Sequence, residues 1–226
     1  MVDPWVVLAA IAVAGLFLIA HDMGERIHPI NPYHLGSESE LFEVVFSPPV
    51  RLGKVRLYTG ANGLGEARFD TETEQGRRPL WTKDEGRLRY KGTHLARRST
   101  FKVVGRGVRL DRPVERVRMT ITGRGFDVNE IVFLDKQLQV VTPATLAIAG
   151  NAAIPARQHP LFDEPDRITQ DASFRAETSW DEVYYARSAY DLVQGTPPFE
   201  KTHPPLGKIL IAIGVDWLEM TPFGWR

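Results

Sequence analysis

The chain has 226 residues, no cysteine and a formal net charge of zero, with 28 Lys+Arg against 28 Asp+Glu. That length allows one or two domains, and the lack of cysteine excludes disulfides and thiolate metal sites. The neutral total hides a segregation, because residues 51–124 carry 19 basic and 8 acidic residues. A basic module beside an acidic remainder has two readings: a solvated Arg-rich β surface, or contact with anionic lipid headgroups or acidic glycans. Nucleic acid is not an expected partner, since no helix or loop concentrates the charge with the usual motifs. No metal is expected either, because His21, His28, His34, His94, His159 and His203 show no ligand spacing.

Residues 1–22 read as a transmembrane anchor. From Pro4 to Ala20 the sequence runs 17 residues without a charge, the short end of a spanning helix, with Trp5 suited to one interface. A cleaved signal peptide is the rival reading. It is disfavoured because the Met-Val-Asp leader carries no positive charge and no Ala-x-Ala-like site lies near Ala20. Residues 23–36, with Gly24, Pro29, Pro32 and Gly36, read as a linker.

Residues 37–141 change to short β runs: Leu41–Phe46, Lys54–Tyr58, Phe101–Val104, Val114–Ile121 and Asn129–Leu134. Several alternate apolar with charged residues, the period of half-buried strands, and Gly60, Gly63, Gly105, Gly107, Gly123 and Gly125 supply turns between them. Regular short strands predict an antiparallel sandwich. The runs Val55–Tyr58 and Val117–Ile131 resemble the galactose-binding-like, discoidin-type jelly roll. That resemblance implies a fold that often holds sugars, with Tyr58, Trp81 and Tyr90 as candidates for a sugar-stacking platform; core aromatics are the alternative reading. Residues 142–178 read as a connector whose first part, up to Ala156, is small, apolar and too Pro-broken to span a membrane.

Residues 179–226 carry the chemistry. Ser179-x-x-Glu182 is a capping box and Gly195 a helix stop, predicting a helix from about Trp180 to Gln194. Asp181 and Glu182 in its first turn suit the helix dipole without any catalytic role. They are followed by His203-Pro-Pro-Leu-Gly-Lys208 and by Pro222-Phe-Gly-Trp-Arg226, with Asp181 lying 22 residues before His203. This ordered set resembles the first extracytoplasmic loop of the protein O-mannosyltransferases and their bacterial relatives, phospholipid-carrier-dependent membrane glycosyltransferases. Trp180 departs from the pattern, where Phe is commoner. Phe162-Asp163-Glu164 is a competing Asp-Glu pair, but Pro165 follows it directly and blocks the helix.

The resemblance implies the front end of a hexose transferase, with mannose the expected sugar, a polyprenyl or dolichyl phosphate carrying the donor, and Ser/Thr of a protein or a glycan hydroxyl as acceptor. No cofactor is implied beyond that donor substrate. Asp181 is the implied general base, worth about 10²–10⁴-fold for a well-placed carboxylate, and Glu182 orients the acceptor or holds the helix start. Arg187 and Lys208 are candidates to stabilise the leaving phosphate. His203 either fixes its turn or faces substrate. Leu206–Met220 reads as an amphipathic helix with Ile209, Leu210, Ile213 and Trp217 on one face, suited to the membrane interface; a buried helix would give much the same pattern.

The expected fold class is therefore mixed: an N-terminal transmembrane helix, an antiparallel jelly-roll-like β-sandwich, and a helical extracytoplasmic loop ending in an interfacial helix. The expected location is the membrane, with one span and the bulk extracytoplasmic. One span and one loop build no pocket for a polyprenyl phosphate, so the chain is expected to be inactive alone, with a separate chain as the source of further spans. A membrane-anchored carbohydrate-binding or accessory subunit, and a lipid-modifying relative of the same superfamily, are the alternative functions.

Overall fold

A computed structural model describes residues 3–73, 76–80, 87–89, 100–108, 110–149, 151–168 and 175–226. The alternating runs fold as expected from their period. In β2 (Ser39–Val50) Phe42, Val44 and Phe46 point inward and are buried, while Glu43 between them points out. It pairs antiparallel with β8 (Val114–Thr122), Phe42 opposite Met119 and Val44 opposite Val117, so the inward sets coincide and Glu43 faces Arg118. β4 (Glu66–Thr73) continues this sheet beyond β8, followed by β5 (Gly76–Pro79) and β6 (Arg87–Arg89). On the other side β11 (Thr145–Ile148) and β12 (Ile154–Pro155) complete seven strands among the described residues. The sandwich thus extends past Val141 into the stretch read as a connector.

The second sheet orders β1 (Tyr33–His34), β9 (Asp127–Asp135), β3 (Leu52–Thr59) and β7 (Val103–Gly107), with β10 (Val140–Val141) also on β9. The two inner faces share one core. Phe46 meets Phe133 edge-to-face at 5.2 Å between ring centroids, and Phe69 and Phe162 join the same cluster. Each such buried ring stabilises by roughly 1.5–3 kcal/mol.

β9 is buried along both faces, which a strand of a sheet with one face in solvent would not be. Its outward residues Val132 and Leu134 pack with Tyr58, Val103 and Ile168. The 24–31 linker and the 159–168 stretch lie over this face: the Ile131 amide donates to the Leu161 carbonyl at 2.8 Å, Asn129 donates to the Pro29 carbonyl, and His28 sets its ring edge-on to Tyr58. The competing Asp163-Glu164 pair is used here. Glu164 accepts from the amides of Ile30 and Asn31, and Asp163 from the Asn31 side chain.

The first helix requires a correction. α1 (Pro4–Asp22) forms over the apolar run, with Asp3 as its N-cap, but among the described residues no helix is long and apolar enough to cross a membrane. Its 17 uncharged residues rise only about 26 Å at 1.5 Å each, short of the roughly 30 Å hydrocarbon core. It reaches 19 residues by including His21 and Asp22. The expected transmembrane element and the membrane location resting on it are overturned, and the extracytoplasmic placement loses its basis with them.

Burial of Glu130 generates a pH dependence. Desolvation in the middle of β9 raises its carboxyl to about 9, helped by the nearby Asp163 and Glu164 charges and opposed by the Glu164 amide that donates to it. Between the ordinary carboxylate value and that raised one the folded chain keeps a proton the unfolded chain has released, so stability falls as pH rises. The Tm of the wild-type chain is expected to decline from about pH 5 to about pH 9, and Glu130→Gln to flatten that decline. A pH–Tm profile by circular dichroism for both chains checks it.

Candidate active site

Three helices follow the sandwich and dock on its loop end. α2 (Glu182–Val193) starts within two residues of the predicted start, and α3 (Pro205–Leu218) and α4 (Pro222–Trp225) follow. Ala186, Ala189, Val215, Met220 and Trp225 form a second core with Ala61 and Phe101 from the sandwich, and Trp225 stacks on Phe101 at 5.6 Å. The stripe Ile209, Leu210, Ile213 and Trp217 of α3 is exposed, and the helix instead turns Lys208, Ile211, Ala212 and Val215 inward.

Each residue of Pro222-Phe-Gly-Trp-Arg226 has a physical task. Thr221 caps the short helix by accepting from the Gly224 amide, and Pro222 occupies the first turn, where its missing N–H is no loss. A Cβ on Gly214 would lie 2.5 Å from the Gly224 carbonyl oxygen, so α3 and α4 meet backbone to backbone there. Arg26 covers the Phe223 ring at 4.6 Å. Arg226 grips Glu182 through two nitrogens, at 2.9 and 3.0 Å, and donates to the carbonyls of Met23 and Glu177.

These contacts shape an open cleft of about 560 Å³ lined by Ser179, Trp180, Asp181, Glu182, Tyr185, Ile211, Trp225 and Arg226. The structure brings Asp181 and Glu182 together there, with different tasks. Glu182 is committed, accepting from the Ser179 amide at 2.9 Å as the capping box requires and pairing with Arg226. Asp181 stands at the N-cap position, but its backbone is helical rather than extended and its side chain makes no capping bond. An Asp at that position ordinarily caps; this carboxylate lines the cleft with no partner among the described residues.

The other site candidates lie elsewhere. Arg187 falls five positions beyond Glu182, about 140° around the helix. Its guanidinium pairs with Asp191 at 2.9 Å and donates to the Ala61 carbonyl and to Asn62 at 2.8 Å, fastening α2 to the sandwich. Lys208 is buried and satisfied by Glu200, at 2.8 Å to the carboxylate and also through the carbonyl. His203 sets Nδ1 2.8 Å from the same carboxylate and its ring 5.1 Å from that of Tyr185, which places it at the rear of a cleft-lining residue. Tyr58 is fully buried between Val103, Val132 and Ile168, away from solvent sugar. Trp81 and Tyr90 lie outside the described residues.

Glu200 is the residue the sequence reading missed. It accepts from the Lys208 ammonium, from the hydroxyl and amide of Thr202, and from His203. Those partners, Lys208 foremost, hold its carboxyl well below the usual carboxylate range. The available signal was its spacing, three residues before His203 and eight before Lys208. It converts the Pro-rich stretch into a fixed turn that launches α3 from Pro205. Among the described residues, no group of three or more His, Asp and Glu could hold a metal ion. No family model matches the chain, and no curated protein or solved structure matches it.

The α3–α4 contact sets the position of Arg226, so it is the place to disturb the cleft from a distance. Gly214→Ala forces the two backbones apart and is expected to destabilise by about 1–3 kcal/mol. The check is a fall in Tm together with a changed near-UV dichroism from Trp225.

Proposed function

We propose that the chain is part of a hexose transferase of the O-mannosyltransferase type, in which Asp181 removes the proton of an acceptor hydroxyl. The observation that carries this reading is the uncommitted Asp181 carboxylate in an open cleft. Four carboxylates near it are engaged: Glu177 with Lys102, Glu182 with Arg226, Asp191 with Arg187 and Glu200 with Lys208. A group left unpaired beside so many pairs is available for a proton.

In the proposed reaction the acceptor oxygen attacks the anomeric carbon of the hexose as its proton passes to Asp181. The bond from that carbon to the carrier phosphate breaks, and the polyprenyl phosphate leaves with the electron pair. The acceptor is a Ser or Thr hydroxyl of a protein. Arg226 is the cation that lines the cleft, and it places positive charge near the developing phosphate. Glu182 supports the site through Arg226 and the Ser179 amide rather than by touching the reacting atoms.

The test replaces Asp181 by Asn in the source cells and follows labelled hexose from polyprenyl phosphate hexose into protein in their extracts. Incorporation is expected to fall about 10²–10⁴-fold. Asp216→Asn, on an exposed part of α3, is expected to leave it within about twofold. Wild-type incorporation by Asp181→Asn removes the base from the proposal.

A further inference from the structure

Trp180 is the most unusual residue of the cleft. Its side chain is 83% exposed although it is one of the largest apolar groups of the chain, and it lines the same cavity as Asp181, Tyr185 and Arg226. Isolated exposed aliphatics need no explanation. A whole indole standing beside an unpaired carboxylate and a guanidinium is a different case, because that mixture presents a flat apolar face and hydroxyl-binding groups to one small volume.

The backbone shows how it is held there. The Glu182 amide donates to the Ser179 carbonyl at 2.9 Å, closing a four-residue turn with Trp180 and Asp181 at its centre. Trp180 has φ of +46° and Asp181 has φ −77° and ψ −10°. A positive φ followed by those values is the sign pattern of a type II′ turn, whose first central position ordinarily goes to glycine. A bulky residue with positive φ is an outlier. Here it both strains the turn and leaves its ring exposed, and the indole N–H itself has no hydrogen-bond partner among the described residues.

Resting on the proposed transferase reading, we infer that Trp180 is the stacking platform for the pyranose ring of the hexose being transferred. The distances of the chemistry favour this over a role for the indole in binding acceptor peptide. An acceptor oxygen lies about 2.6–3.2 Å from its base and about 3–3.5 Å from the carbon it attacks. The hexose at Asp181 is therefore within about two bonding steps of the carboxylate, in the reach of the adjacent side chain. The C–H face of the ring lies on the indole, and the Asp181 carboxylate is left as the hydroxyl-binding group. Loss of the platform is expected to weaken binding about tenfold.

The test titrates the full chain with D-mannose, D-glucose and D-galactose while following the five indole N–H resonances by NMR. The Trp180 signal is identified by its absence in Trp180→Phe. At least one hexose is expected to shift that signal saturably, Trp180→Ala to bind it about tenfold more weakly, and Trp180→Phe to stay within about threefold. Trp180→Gly is expected to lose binding while its Tm stays at or above that of the wild-type chain, since glycine suits the turn. A lower Tm in that variant makes the indole a structural group and overturns the assignment. So does a Trp180→Ala chain that binds hexose normally, or a wild-type chain that binds none but takes a Ser/Thr peptide on Trp180. Binding that depends on Trp180 together with full transfer by Asp181→Asn leaves the platform standing and removes only the base.

Discussion

The guanidinium of Arg226 is the point at which the end of α4 is tied to several other parts of the chain. It holds the Glu182 carboxylate at the start of α2 and takes up carbonyls from Met23 and Glu177. A forked donor matched to a carboxylate gives direction as well as attraction, and a mostly buried guanidinium that lost its partner would leave carbonyls and charge unsatisfied. Without this junction the entry to α2 loses its ion pair with the end of α4, and one wall of the cleft is loosened.

Around that junction the sandwich acts as a platform more than as a second module. Its outer sheet is covered by linker and connector, which explains why β9 is buried on both faces, Glu130 and Asn129 included. The helical segment is fixed to the same body by Phe101 against Trp225 and by Arg187 on the 61–62 loop. The segment is thereby held in one geometry against the sandwich, as the proposed proton transfer requires.

Much of this was legible where one residue's environment follows from its near neighbours. The β2 and β8 strands are plain from alternation, and the start of α2 from the Ser179–Glu182 spacing, because both depend on local periodicity and hydrogen bonding. The α1 helix was legible but its length misled: an uncharged run fixes helical character, whereas crossing depends on a few more residues. β11 and β12 were hidden in a small-residue, Pro-containing stretch that acquires strand structure only by pairing with β2. Arg187, Lys208 and Tyr58 have suitable chemistry for their expected roles, but their directions are set by Asp191 and Ala61, by Glu200, and by burial under Ile168. Those are partners no spacing rule selects.

The same distinction separates the two acidic pairs. Asp163-Glu164 and Asp181-Glu182 are alike in sequence, and each contains a carboxylate that accepts backbone amides. In the first pair both residues find donors in the linker, although the second oxygen of Asp163 is buried without a partner. In the second the turn that would let Asp181 cap its helix is occupied by Trp180 in a left-handed conformation, and the cap is lost. Local preference and the adopted structure disagree at two consecutive residues. Such a disagreement persists only when neighbouring contacts over-determine it. Glu182, pinned by the Ser179 amide on one side and Arg226 on the other, is the contact that does so, and the strain at the mouth of the cleft is therefore maintained by a carboxylate whose own bonds leave its neighbour Asp181 uncommitted.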